Sequence, residues 1–180
     1  PPLPGGRITP QFRRSWKDAD IATYRDSVAR FIEQEMLPHD AEARRVGHVG
    51  HALWRRAGEL GFLCADIPQE WGGAGGDFRH EAVFYEEMAR RGLSGMGTSV
   101  HSIVAHYVLN HGTEDQKRRY LPRMARGELV GAIAMTEPGA GSDLQGVRTR
   151  AAREGDSYVV HGSKTFITNR HLAGLVLVVC

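Results

Sequence analysis

Val130-Gly131-Ala132-Ile133-Ala134-Met135-Thr136-Glu137-Pro138-Gly139-Ala140-Gly141-Ser142-Asp143 is where the chain changes character. A continuous apolar run closed by a turn signal reads as a buried strand, because an amphipathic helix would interrupt it with polar residues every third or fourth position. Upstream of this run apolar residues recur at helical spacing; downstream they come in short groups separated by Gly, Asp and Asn. The switch falls near residue 129 and predicts an α+β protein, with an all-α helical bundle over 1–128 followed by the start of an antiparallel β-domain over 129–180.

The turn that ends the run has chemistry of its own. Pro138-Gly139 suits a type II turn, since proline presets the first dihedral and glycine accepts the positive one. Gly141 lets a ligand approach the backbone, and consecutive N–H groups beside the Ser142 hydroxyl can form an anion-binding nest. Thr136, at the strand end, can turn its hydroxyl to a heterocycle, while Glu137 and Asp143 are expected to hold the loop through backbone N–H groups or Arg148. The competing reading is a tight turn that binds nothing, and spacing alone leaves both open. A dinucleotide fingerprint is excluded: Leu144 stands where a third Gly or Ala is needed, and no helical pattern follows. Gly73-Ala74-Gly75-Gly76 lacks that order too, and no Gly-Lys-Ser/Thr triplet supports a P-loop.

Further along, the hairpin-like signal Gly155-Asp156 separates strands at 147–152 and 157–161, and others are expected at 165–168 and 175–179. In a strand at 165–168, Phe166 and Thr168 share one face and Ile167 takes the other, setting an aromatic ring beside a hydroxyl. A planar cofactor needs that pair; a core phenylalanine with a surface threonine is the plainer alternative. The chain stops inside its most hydrophobic strand with little sheet sequence to cover it, so the expectation is the front part of a longer protein.

Outward from the switch in the other direction, Ile21, Tyr24, Val28, Phe31 and Ile32 predict a helix over 18–37, ended by Pro38. Leu53, Trp54, Ala57 and Leu60 predict one over 49–60 with Gly61 beyond it, and a third is expected over 78–91. A helix over 97–110 carries Val100, Ile103, Val104, Tyr107 and Val108 as a wide apolar stripe. Thr113-Glu114-Asp115-Gln116 is a capping box opening a fifth helix, which Pro122 is expected to break near Leu121.

The 180 residues, with 41% hydrophobic and 24% charged, exclude disordered and collagen-like classes. No apolar run approaches a membrane span, and Pro1-Pro2-Leu3-Pro4-Gly5-Gly6 lacks the order of a secretion signal. A net charge of +2, with Asp or Glu near most basic pairs, reads as solvated helix faces, so no nucleic-acid partner is expected. Cys64 and Cys180 lie far apart, which argues against a disulfide framework and a zinc site. His101, His106 and His111 fall on different helix faces, so no metal site is expected. Ser99 and Ser102 lack a nucleophile elbow, and Glu81, Glu86 and Glu87 read as ion-paired or solvated. No catalytic residue is assigned.

Together these segments resemble the acyl-CoA dehydrogenase family of flavoproteins. Ala134-Met135-Thr136-Glu137, Gly141-Ser142-Asp143 and Gly146 match its signature, and the likeness extends over Pro68 to Gly76, His111 to Pro122, Gly127-Glu128 and Gly162 to Asn169. His101-Ser102-Ile103-Val104 with Ala132-Ile133-Ala134-Met135-Thr136 looks most like the long-chain branch. The resemblance implies a C-terminal four-helix domain missing here, FAD as cofactor, a homotetramer built as a dimer of dimers, and a cytoplasmic location (mitochondrial matrix if eukaryotic). By position, Ile133, Met135 and Thr136 border the flavin, and Gly141 and Ser142 meet its pyrophosphate, with Ser142 also near the acyl-CoA. Phe166 and Ile167 lie by the ring system, Thr168 hydrogen-bonds near its reactive nitrogen, and Met96, Ser99 and Ile103 line the acyl tunnel.

The implied reaction is α,β-desaturation of a fatty acyl thioester. A carboxylate base, which the resemblance places beyond this chain, removes the α-proton while the β-hydrogen leaves as hydride to the flavin, and electrons pass to an electron-transfer flavoprotein. Two alternatives compete: an oxygen-using relative (acyl-CoA oxidase or flavin monooxygenase), and a non-catalytic assembly subunit.

Overall fold

A computed structural model describes residues 19–180. The leading Pro/Gly stretch, Arg13-Arg14 and the first position of the expected 18–37 helix lie outside the described residues.

Helix α1 (Ala19–Phe31) buries Ile21, Val28 and Phe31, the positions its periodicity assigns to the core. It does not end at Pro38. The chain continues through a π-helical turn (Ile32–Met36) and a 3-10 turn (Leu37–His39) into α2 (Asp40–Val46), closed by left-handed Gly47. Pro38 stands in the first positions of its turn, where an N–H has no intrahelical partner to lose, so proline redirects the helix without stopping it. Helix α3 (His51–Glu59) drives Trp54 and Ala57 inward. Helix α4 (Phe78–Arg90) starts on Asp77, whose carboxylate accepts the Arg79 N–H at 2.9 Å.

Helix α5 (Thr98–His111) follows, then α6 (Glu114–Ala125) with the expected capping box: the Gln116 N–H donates to Thr113 Oγ1 at 3.3 Å, and the Thr113 N–H to Gln116 Oε1 at 2.8 Å. Two expectations change here. The α5 stripe is narrower than its apolar residues suggest, for Ile103 and Tyr107 are 46% and 51% exposed while His101, Ser102, Val104, Ala105 and Val108 are buried. Pro122 does not break α6. The carbonyl four residues back, which loses its donor, belongs to exposed Arg118, and Pro122 stands against Gly72.

The strands are β1 (Val130–Ala134), β2 (Arg150–Glu154), β3 (Ser157–His161) and β4 (Ala173–Val178). β2 and β3 form the expected antiparallel hairpin across Gly155-Asp156. β1 and β4 pair in parallel, with Gly131 opposite Leu175 and Ala134 opposite Val178, so the β-part is mixed. The α+β class stands, and the hairpin is carried on the long crossover that a parallel pair requires.

One buried cluster joins α1, α3 and α4 through Ile21, Phe31, Trp54, Val83 and Phe84. A second joins α5 and α6 through Val104, Val108, Leu121 and Met124, with Leu129 just before β1 in it and Ile133 of β1 packed against it. Gly127, with φ at +67°, marks where α6 hands over to β1: a Cβ there would stand 2.1 Å from the Trp54 carbonyl oxygen, so only glycine fits. His101 ties the same junction. Its Nδ1 accepts the Gly131 N–H at 3.1 Å and its Nε2–H donates to the Met124 carbonyl at 3.1 Å. Burial, which disfavours the charged ring, pulls its pKa down to about 4.

Candidate functional site

The C-terminal end of β1 and the segment 162–169 lie side by side. The Thr165 N–H donates to the Thr136 carbonyl at 2.9 Å, and Lys164 Nζ donates to the Met135 carbonyl at 3.0 Å. The second segment is not a strand. Phe166 and Asn169 both adopt left-handed φ, at 55° and 66°, which breaks the alternation expected at 165–168. The cause is a pin at each end: besides the Lys164 and Thr165 bonds, Asn169 Nδ2 donates to the carbonyls of Gly97 (2.9 Å) and Gly131 (3.0 Å). Asparagine takes the left-handed region more readily than other residues with a Cβ, so its identity matches its geometry. Gly97 is required beside it, since a Cβ there would sit 2.4 Å from Asn169 Oδ1 and 2.5 Å from Thr168 Cγ2.

Ile133 in β1 and Met135, directly after its end, line a 230 Å³ depression with Leu177, Val179 and Tyr107. Thr136 is half-buried, and Phe166, at 91% exposed, presents its ring to the outside. Thr168 is exposed, and with Ile167 it borders a second cavity of about 420 Å³ toward Gly95, Gly97 and His48.

The Pro138-Gly139 turn is closed by reciprocal bonds: the Glu137 N–H donates to the Ala140 carbonyl at 2.9 Å and the Ala140 N–H to the Glu137 carbonyl at 3.2 Å. Gly139 does not take the positive φ of a type II turn; proline at the first central position is compatible with either turn type, so the sequence could not separate them. Among the described residues, the N–H groups of Gly141, Ser142 and Asp143 donate to no protein acceptor, and nothing stands within 4 Å of a Cβ built on Gly141.

Glu137 holds this loop. Its buried carboxylate accepts from the Thr149 hydroxyl, from Lys164 Nζ at 2.9 Å, and from the N–H groups of Arg148 (2.8 Å) and Thr149 (2.9 Å). The Thr149 hydroxyl and then Lys164 bring its pKa down to about 2. As expected, Glu137 acts through backbone N–H groups, and Asp143 does the same with the Gln145 N–H at 3.1 Å. The Arg148 guanidinium is not used for this.

The three residues expected along an acyl tunnel do not lie together. Ser99 and Ile103 border a cavity of about 460 Å³ between α4 and α5. Met96 does not: it is 3% exposed and packed in the core cluster of α1, α3 and α4, because the loop before α5 turns it inward. Glu81 also departs from expectation, being 4% exposed on α4 with its Oε1 accepting the Ala65 N–H at 3.0 Å and its Oε2 accepting the Tyr85 hydroxyl at 2.7 Å. Glu87, by contrast, is ion-paired as expected, with Arg25 and with Arg91 at 2.6 Å. Sequence reasoning passed over His101, Lys164 and Asn169; only Asn169 carried a local signal, an asparagine directly after a threonine where a left-handed turn is favoured.

A planar ring fits what these elements expose: an apolar bed from Ile133 and Met135, an aromatic side chain free to cover it, hydroxyls at Thr136 and Thr168, and unpaired backbone donors at 141–143 for an anionic group. A helical unit feeding a β-unit with such a ledge defines a class of two-domain, cofactor-ready chains. The model of the acyl-CoA dehydrogenase N-terminal domain matches residues 18–128, and that of the middle domain matches 132–180; the chain belongs to the acyl-CoA dehydrogenase family. The long-chain specific acyl-CoA dehydrogenase of Sus scrofa mitochondria is 47% identical over 157 residues, covering 87% of this chain and 36% of that protein. An acyl-CoA dehydrogenase structure from Geobacillus kaustophilus superposes with a TM-score of 0.88 at 40% identity, covering 92% of this chain and 44% of that one. One from Bacillus anthracis, complexed with FAD, gives 0.82 at 33% identity, covering 92% and 29%. The chain thus spans between a quarter and a half of the length of these relatives.

Proposed function

We propose that this chain forms the helical domain (1–128) and the first part of the middle domain (129–180) of an FAD-dependent acyl-CoA dehydrogenase that desaturates fatty acyl-CoA and passes electrons to an electron-transfer flavoprotein. The observation that carries the reading is the contact between the two flavin-side segments: Thr136 and Thr165 share a hydrogen bond, and Lys164 reaches the Met135 carbonyl. Ile133, Met135 and Thr136 form the bed for the ring, Phe166 and Ile167 flank it, and Thr168 offers its hydroxyl to the ring edge. Gly141 and Ser142 present backbone and hydroxyl donors to the pyrophosphate, with Ser142 also beside the acyl-CoA. Ser99 and Ile103 border the acyl chain. When bound, FAD supplies the acceptor for the hydride that leaves the β-carbon.

The chain's own residues contribute binding and orientation. Glu137 and Lys164 neutralise each other beside the ledge, so the loop keeps its shape without presenting net charge to the cofactor. Assembly as a homotetramer, and residence in the cytoplasm or mitochondrial matrix, complete the proposal; no helix among the described residues is long and apolar enough to cross a membrane.

The test is the full-length polypeptide containing this chain. It purifies yellow, and anaerobic addition of a fatty acyl-CoA bleaches the flavin band with formation of the enoyl-CoA. A colourless protein that ignores added FAD contradicts the proposal, and rapid reaction of the reduced enzyme with dioxygen reassigns it to an oxidase.

A further inference from the structure

Two of the apolar residues on α5 stay out of the core. Ile103 and Tyr107 are exposed, while Val104, Ala105 and Val108 on the neighbouring face are buried. With Ser99, also exposed, they recur at spacings of four and form one row over two turns of the helix, about 12 Å from end to end. Large apolar side chains left in such a row mark a surface that something covers, and all three residues border the 460 Å³ chamber between α4 and α5.

Tyr107 borders a second space as well. Of the residues lining the chamber, it is the one that also lines the 230 Å³ depression formed by Ile133, Met135, Leu177 and Val179. Helix α5 reaches the sheet because Gly131 in β1 carries no side chain: a Cβ there would stand 2.9 Å from Val104 Cβ. On the next turn of α5 the His111 ring stands 5.7 Å from that of Tyr107 and backs it. The Tyr107 ring is therefore the partition between the chamber on the helical side and the apolar bed at the end of β1.

We infer that Tyr107 is a specificity-determining residue: its ring narrows the passage from the flavin bed into the chamber, so the preferred acyl thioesters are unbranched at the carbon just beyond the reacting pair. This rests on the acyl-CoA dehydrogenase reading, in which Ile133 and Met135 bed the flavin and Ser99 and Ile103 border the acyl chain. The α and β carbons lie over the bed, and the γ-carbon is the first to pass the ring. A methylene slides by a flat side chain, whereas a methyl branch adds width that the ring can accept only by leaving its rotamer. A branch near the far end of the chain lies toward Ser99, two turns of α5 away, and does not meet the ring.

The experiment uses the full-length flavoenzyme and three saturated acyl-CoA thioesters with one main-chain length: unbranched, methylated on the γ-carbon, and methylated on the penultimate carbon, with kcat/KM measured for each. The unaltered enzyme is expected to disfavour the γ-branched substrate about tenfold or more against the unbranched one, the scale of one methyl group in a close-fitting pocket. In Tyr107→Ala that ratio falls toward one, while the ratio for the penultimate branch stays as it was. Tyr107→Phe retains the discrimination, because the ring and not the hydroxyl carries it. Should Tyr107→Ala not fold, Tyr107→Leu also removes the ring and is read the same way. Equal use of γ-branched and unbranched substrates by the unaltered enzyme, discrimination that survives loss of the ring, or a shift shared by both branch positions overturns the inference alone. Failure of the unaltered enzyme to oxidise the unbranched substrate overturns the acyl-CoA reading along with it.

Discussion

Lys164 and Glu137 fix the ledge on which the functional proposal rests, and they do so from inside: Lys164 donates to Glu137 and to the Met135 carbonyl from a side chain that is 11% exposed. Lys164→Met keeps the length of the stem and removes both bonds. The expected result in the full-length protein is about tenfold weaker FAD retention, the scale of one charge-assisted hydrogen bond, measured by flavin release on dilution; unchanged retention places the support of the ledge elsewhere. The pKa of Glu137, about 2, has a consequence for acid. A carboxylate held below its unfolded value stabilises the loop above that value and loses the contribution as pH falls toward the folded one, so the 137–149 brace holds at neutral pH and weakens below about pH 4. His101 acts at milder acidity. Its pKa falls from 6.5 to about 4, so the unfolded chain takes up a proton that the folded one refuses, and stability is lost as pH drops between those values. The loss amounts to about 3 kcal/mol at pH 4 and is expected in denaturant titrations at several pH values. His101→Gln should flatten that slope. Glu137 is legible as a holder of the loop, whereas Lys164 and His101 do not announce themselves: Lys164 lies between a serine and a threonine in a polar stretch, and a histidine on an apolar helix face is more often a packed residue than a site.

At the scale of elements, the helices were legible because their apolar spacing and caps are local. Asp77 and Thr113 open α4 and α6 as their side-chain chemistry demands. The errors came where a local rule met a tertiary contact. Pro38 and Pro122 both read as stops, yet one sits where its missing N–H costs nothing and the other rests on Gly72. Residues 165–168 alternate like a strand, but Asn169 is claimed by the carbonyls of Gly97 and Gly131, from α5's entry and from β1, and no sequence window contains all three. The parallel partnership of β1 and β4 was hidden for the same reason, since it joins segments about forty residues apart. The handover from α6 to β1 is the element-level joint most sensitive to change. Gly127→Ala sets a methyl group 2.1 Å from the Trp54 carbonyl on a backbone with φ at +67° and is expected to destabilise the fold by on the order of 3 kcal/mol in chemical denaturation. A loss below about 1 kcal/mol would show that α3 and α6 can separate freely.

For the whole molecule, the α+β division and the family were readable from one switch in periodicity and one glycine-rich turn, and the comparisons place both halves in the acyl-CoA dehydrogenase family. The cavity between α4 and α5 was not readable, because lining residues such as Asp66, Glu81 and His106 come from a loop and two helices and meet only in three dimensions. The central claim is that the end of β1 and the 162–169 loop together hold the flavin ring. A crystal structure of the full-length protein with FAD bound measures it directly. The account predicts the ring lying over Ile133 and Met135 with the Thr168 hydroxyl within hydrogen-bond distance of its edge; a flavin bound elsewhere, with Thr136 and Thr168 both out of its reach, contradicts it.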